Sequence, residues 1–160
     1  MNSQKITISV IGGHKILPKN RQLAYAVGQT IAKEGAVLVC GGLEGVMAEA
    51  ARGAKEAGGL TIGLLPGKDK RDANSYIDIA LPTSIGYARN AIVACSADII
   101  VALAGSHGTC SEICYGLVFG RPVIDFGGWE IEGAIRVKTL QAFKVKLREI
   151  IKRIKESRQN

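Results

Sequence analysis

Apolar runs that end on glycine, separated by stretches of helical character, constrain this chain more than any other feature. "KITISVIGG" (5–13), "AVLVCGG" (36–42), "LTIGLLPG" (60–67), "DIIVALAG" (98–105) and "RPVIDFGG" (121–128) are near-continuous apolar segments. Strands buried on both faces read this way, and such strands belong to parallel sheets covered by helices. "YIDIALP" (76–82) alternates as a further strand,. Between the strands, residues 19–35, 44–59, 87–97 and 109–120 read as helices, the first two closed by Gly35 and by Gly58-Gly59,. Residues 68–75, "KDKRDANS", are expected to be a polar, mobile loop. Strands and helices alternating at this interval imply right-handed βαβ crossovers. The expected fold is a single α/β domain, doubly wound and Rossmann-like, with a mainly parallel sheet over residues 1–135.

The charge of the chain singles out its last segment. Residues 1–135 hold 12 Lys/Arg and 12 Asp/Glu, whereas residues 136–160 hold nine Lys/Arg against Glu149 and Glu156, so the net +7 arises entirely there. Leu140, Phe143, Leu147, Ile150 and Ile154 recur at steps of three and four, which predicts an amphipathic basic C-terminal helix,. Its apolar stripe is expected to dock on the same domain or to form a dimer contact. The evenly balanced remainder makes a nucleic-acid partner unlikely. No run approaches the ~20 apolar residues of a membrane span, and the start lacks the basic and apolar regions of a secretion signal. Cys40, Cys95, Cys110 and Cys114 form no metal-binding spacing,. The expectation is a cytoplasmic protein with no membrane partner and no metal.

In open sheets of this type, ligands bind beyond the carboxyl ends of the strands. Gly12, Gly13, Gly41, Gly42, Gly45, Gly105 and Gly108 all fall at or just past those ends. Two of these turns, "CGGLEGVM" and "AGSHGTCSE", lead into helices, where free N–H groups and the helix dipole attract an anion. Ser106, His107 and Thr109 add polar side chains to the second turn. Neither turn is a P-loop or a GxGxxG fingerprint. Glu112 stands three residues beyond Thr109, which fits a capping box as well as a functional carboxylate. Arg89 sits in the first turn of its helix, where the dipole disfavours a cation, which points to service to a ligand or a carboxylate.

"GGLEGVMAEAARGAKEAGG", "ARNAIVACSADIIVALAGSHGTCSEI" and "GRPVI" together resemble the LOG-like Rossmann family, historically labelled lysine decarboxylases, over roughly residues 5–128. Well-studied members are phosphoribohydrolases, which cleave the N-glycosidic bond of nucleoside 5′-monophosphates. The resemblance implies that Gly105, Gly108 and Thr109 hold a phosphate, and that Arg89 and Glu112 are catalytic at the sugar. A carboxylate there stabilises an oxocarbenium-like transition state or activates water. It also implies a homo-oligomer and a phosphorylated small molecule as partner, with no required cofactor. The chain departs from the hydrolase pattern in "AGSHG", which lacks a proline and a second glycine, and at Asn90, where the hydrolases carry lysine. These features resemble a sister branch that includes a molybdenum-cofactor carrier. Two functions follow: hydrolysis of a nucleotide, or non-catalytic carriage or sensing of a phosphorylated ligand such as a pterin phosphate.

Overall fold

The computed structural model describes residues 4–159; positions 1–3 and 160 of the two expected segments lie outside the described residues. Seven strands form one sheet: β1 (Thr7–Ile11), β2 (Val37–Cys40), β3 (Thr61–Leu65), β4 (Ile79–Pro82), β5 (Ile99–Ala102), β6 (Val123–Asp125) and β7 (Ile135–Arg136). Their order is β4-β3-β2-β1-β5-β6-β7, and every neighbouring pair is parallel. Five α-helices connect or cover them: α1 (Pro18–Lys33), α2 (Val46–Glu56), α3 (Arg89–Cys95), α4 (His107–Val118) and α5 (Leu140–Ser157). The expected doubly wound α/β domain is therefore present, extended by the two-residue β7.

Side-chain alternation along the strands builds two cores. From β1, Ile8 and Val10 face α1, α2 and α5; Ile11 faces α3 and α4. β5 divides likewise, with Ile99 and Val101 on the first side and Ile100 and Ala102 on the second. Ser9 lies on the second side, fully buried, and its hydroxyl donates to Val93 O at 2.6 Å. That bond satisfies a hydroxyl that burial alone would penalise.

The basic terminal helix docks on its own chain. Thr139 caps α5 by accepting a bond from the Ala142 N–H at 3.1 Å. Phe143, Leu147, Ile150 and Ile151 are then buried in the first core, and the Phe143 ring meets Phe126 at a centroid distance of 5.3 Å. Several of the helix's cations are paired within the chain, Arg148 with Glu34 at 2.7 Å and Arg158 with Asp98 at 2.5 Å. No helix among the described residues is long and apolar enough to cross a membrane. Phe143→Ala is expected to destabilise the protein by about 3–5 kcal/mol, the usual cost of emptying an aromatic core site. Denaturant unfolding checks this; an unchanged midpoint would mean that α5 is peripheral to the folding unit.

The loop at 68–75, expected to be mobile, is pinned at its end. Asn74 is buried and donates to Gly42 O at 3.2 Å and to Leu43 O at 2.8 Å, which ties this loop to the turn after β2. A single 3-10 turn, Lys70–Asp72, occupies its middle.

Candidate functional site

The chain leaves β4 at one edge of the sheet and re-enters at β5, on the far side of β1. Loops following β1 and β5 therefore diverge, and a crevice opens at their carboxyl ends, as expected at a topological switch point. The cleft there is open-mouthed and leaves about 110 Å³ for water-sized molecules. Its floor is the end of β1, Val10 and Ile11, followed by the backbone of Gly12 and Gly13. Ser106, Gly108 and Thr109 form the wall at the start of α4, and Glu112 completes it one turn later. Gly41, Arg89 and Asn90 line the cleft as well.

At the start of α4, Ser106 has extended backbone and its side chain makes no capping bond. The first bond to the helix start runs from the Cys110 N–H to Ser106 O at 3.0 Å. The N–H groups of His107, Gly108 and Thr109 precede it, and these are the positions a helix leaves without intrahelical partners. At a helix start such N–H groups, together with the helix dipole, attract an anion.

Arg89 faces them from the start of α3. It is buried, at 6 % exposure. Its Nη1 donates to Asn90 Oδ1 at 2.6 Å and its Nη2 to Gly41 O at 3.3 Å, while Nε has no partner. Gly41 is glycine for this reason: a Cβ there would lie 2.5 Å from Arg89 Nη2. Asn90 in turn donates to Ser111 Oγ at 3.3 Å and reaches Gly108 O at 3.5 Å, which sets the start of α3 against the start of α4.

Glu112 is buried beside this guanidinium, with Oε1 3.8 Å from Arg89 Nη1. That is ion-pair distance but not a hydrogen bond. Burial pushes the Glu112 carboxyl up to about 8, and the positive charge of Arg89 offsets only part of that shift. The Arg89 guanidinium is likewise pushed below its ordinary value by burial, against the opposing pull of Glu112. Cys40, at the end of β2, is fully buried, and its thiol is pushed up to about 12 by desolvation, so it stays neutral.

Several expectations change in detail. Helix α4 begins at His107, not at Thr109, so the Thr109–Glu112 capping box does not form. Thr109 is buried, and its Oγ1 fills the space where a Cβ on Gly105 would sit, 2.1 Å away. Gly42, Gly45 and Gly105 do not line the cleft. They let the loops behind it close-pack: a Cβ on Gly45 would lie 2.3 Å from Gly13 O, and Gly42 and Gly45 have φ of 76° and 73°. His107 is exposed and also off the cleft wall. Conversely, His14, Met47 and Tyr87 line the cleft without having been marked by any motif. Among the described residues, no cluster of three or more His, Cys, Asp and Glu is placed to hold a metal ion.

Comparison with known proteins agrees with this fold. A protein of Archaeoglobus fulgidus, itself described only as uncharacterised, is 43% identical over 116 residues, 72% of this chain and 76% of its own length. The molybdenum cofactor binding protein of the phototrophic bacterium Rippkaea orientalis is 36% identical, with a TM-score of 0.85 over 92% of this chain and 98% of that one. The molybdenum cofactor carrier protein of Chlamydomonas reinhardtii is 30% identical, with a TM-score of 0.84 over 92% of this chain and 99% of that one. These neighbours fit the LOG-like and carrier-like resemblance read from the motifs. The model of the SLOG cluster4 family matches residues 5–157, and the chain belongs to that family.

Proposed function

We propose that this protein binds and carries a phosphorylated small molecule, a pterin phosphate such as molybdenum cofactor being its cargo, without cleaving it. The observation that carries the reading is the state of Arg89. It is a buried cation whose acceptors, Asn90 Oδ1 and Gly41 O, are neutral, and its Nε is open. A guanidinium removed from water is costly until an anion neutralises it. The neighbouring carboxyl does not meet that need well, because it stands at 3.8 Å and is mostly protonated near neutral pH. A phosphate between Arg89 and the free N–H groups of α4 does. A neutral Glu112 also removes the repulsion that a carboxylate would impose on that anion.

Hydrolysis through Glu112 would call on its ionised form to stabilise an oxocarbenium-like transition state or to activate water, and burial disfavours that form,. Asn90 supports carriage as well: it accepts from Arg89 where the resembling hydrolases carry lysine, so the second cation of that pattern is absent. The likeness to a molybdenum cofactor binding protein and to a molybdenum cofactor carrier protein favours the same reading.

Titration of the purified protein with a pterin phosphate and with nucleoside 5′-monophosphates, followed by chromatography of the mixtures, tests this. Saturable binding with every ligand recovered intact is the expected result. Release of free base that disappears in Glu112→Gln would replace carriage by hydrolysis.

A further inference from the structure

The turn that delivers Arg89 to the cleft also delivers Tyr87, and the two side chains meet opposite fates. Arg89 is buried, whereas Tyr87 is 85% exposed although it lines the same cleft. The backbone is bent to achieve this. Ser84 and Gly86 have φ of 59° and 58°, the left-handed region that Ser rarely adopts,. Bonds from the Ser84 N–H to Gly67 O and from the Gly86 N–H to Pro66 O, both 3.0 Å, fasten the turn to the end of β3. Thr83 Oγ1 adds a bond to Leu65 O at 2.7 Å. A backbone outlier held this firmly beside a cleft is a pointer to function. The fold gains almost no burial from the ring it presents.

We infer that Tyr87 is a stacking platform at the mouth of the cleft, and that the ligand is a phosphate ester of a planar heterocycle, a nucleotide or pterin phosphate, and not a simple sugar phosphate. The inference rests on the phosphate reading of Arg89 and extends it to the other end of the ligand. A buried cation and an exposed ring on one short turn match a molecule with an anion at one end and a flat π-face at the other. Met47, on the cleft wall beside Gly41, supplies a polarizable apolar contact of the kind that suits an aromatic ring,. Backbone donors hold the phosphate whatever is attached to it, so discrimination between phosphate esters falls to the mouth.

Calorimetry with adenosine 5′-monophosphate, neopterin monophosphate and ribose 5-phosphate, on the wild type, Tyr87→Ala and Tyr87→Phe, tests the platform. Since Tyr87 is exposed, neither variant should disturb folding, and thermal melts verify that. Tyr87→Ala is expected to weaken the preferred heterocyclic phosphate by at least about fivefold, as loss of base–aromatic stacking does. Tyr87→Phe keeps the π-face and should keep that affinity, and ribose 5-phosphate should bind all three proteins equally. Unchanged heterocycle affinity in Tyr87→Ala, or an equal loss for ribose 5-phosphate, would overturn the platform while leaving the phosphate site standing. Failure of the wild type to bind any of the three would overturn the phosphate reading and the platform with it.

Discussion

Arg89→Met is expected to yield a folded protein whose affinity for phosphorylated ligands is lower by about 30-fold or more. Removing one member of a buried, hydrogen-bonded charge pair typically costs 2–5 kcal/mol, and every 1.4 kcal/mol is tenfold in affinity. The stability of the free protein should move far less. Methionine of similar length removes a desolvated charge, which is favourable. It also leaves Asn90 Oδ1 and Gly41 O without their donor, which is unfavourable,. The two effects oppose each other, so the melting temperature should stay within a few degrees. Arg89→Lys separates charge from geometry. Its three donors sit on one compact nitrogen and lack the planar fork that spans both acceptors, so it should bind with intermediate strength. Isothermal titration of the three proteins with one pterin phosphate decides the matter; wild-type affinity in Arg89→Met would remove Arg89 from the site.

The path from sequence to this site was partly legible, for physical reasons that differ between residues. Arg89 stands out because a cation at a helix start opposes the dipole, and in the fold it is buried and lines the cleft. Gly12, Gly13, Gly41 and Gly108 were marked by lying just past strand ends, and all four line the cleft. Gly42, Gly45 and Gly105 carried the same mark, yet they serve loop packing. A glycine needed for positive φ and one needed for ligand approach look identical in a sequence. The start of α4 was misplaced because Thr109 is a better capping residue than its surroundings suggest. Its side chain instead packs over Gly105, and Ser106 takes the extended conformation that begins the helix. His14, Met47 and Tyr87 could not be seen together, because the cleft is assembled from turns after β1, β2 and β4. The small β7 lacks any periodicity: two residues carry no pattern.

What joins fold and function here is the position of α3 relative to α4. Both helices pack on the second core through Val93, Ala94 and Ile113. Their starts are locked together at the cleft by Asn90, which bonds Ser111 from one side and Arg89 from the other. The guanidinium and the donors of α4 are thus held at a fixed separation before any ligand arrives. Preorganisation of this kind lowers the ordering cost that a flexible site would meet on binding.

Glu112→Gln is expected to raise stability at neutral and alkaline pH and to flatten its pH dependence. Burial raises the Glu112 carboxyl from 4.5 to about 8 in the folded protein. Between those values the unfolded chain has released a proton that the folded chain retains. The folded state then binds more protons, so unfolding free energy falls as pH rises across that interval and levels off above it. At about 1.4 kcal/mol per pH unit, the full effect amounts to a few kcal/mol. Glutamine is neutral throughout and carries no such slope. Thermal melts should therefore coincide best near pH 4 and diverge toward pH 8, with the variant the more stable. Binding should follow the same proton. An anion beside Glu112 favours its protonated form, so affinity for ribose 5-phosphate should fall as pH rises beyond about 8 in the wild type,. It should stay level in Glu112→Gln, because the ligand's own second ionisation, near 6, is complete by then. A decline of equal slope in both proteins would take the titration away from Glu112. Wild-type stability that rises between pH 5 and 8 would mean that Glu112 is ionised in the fold. Arg89 would then already hold its anion, and the case for a phosphate cargo would fall.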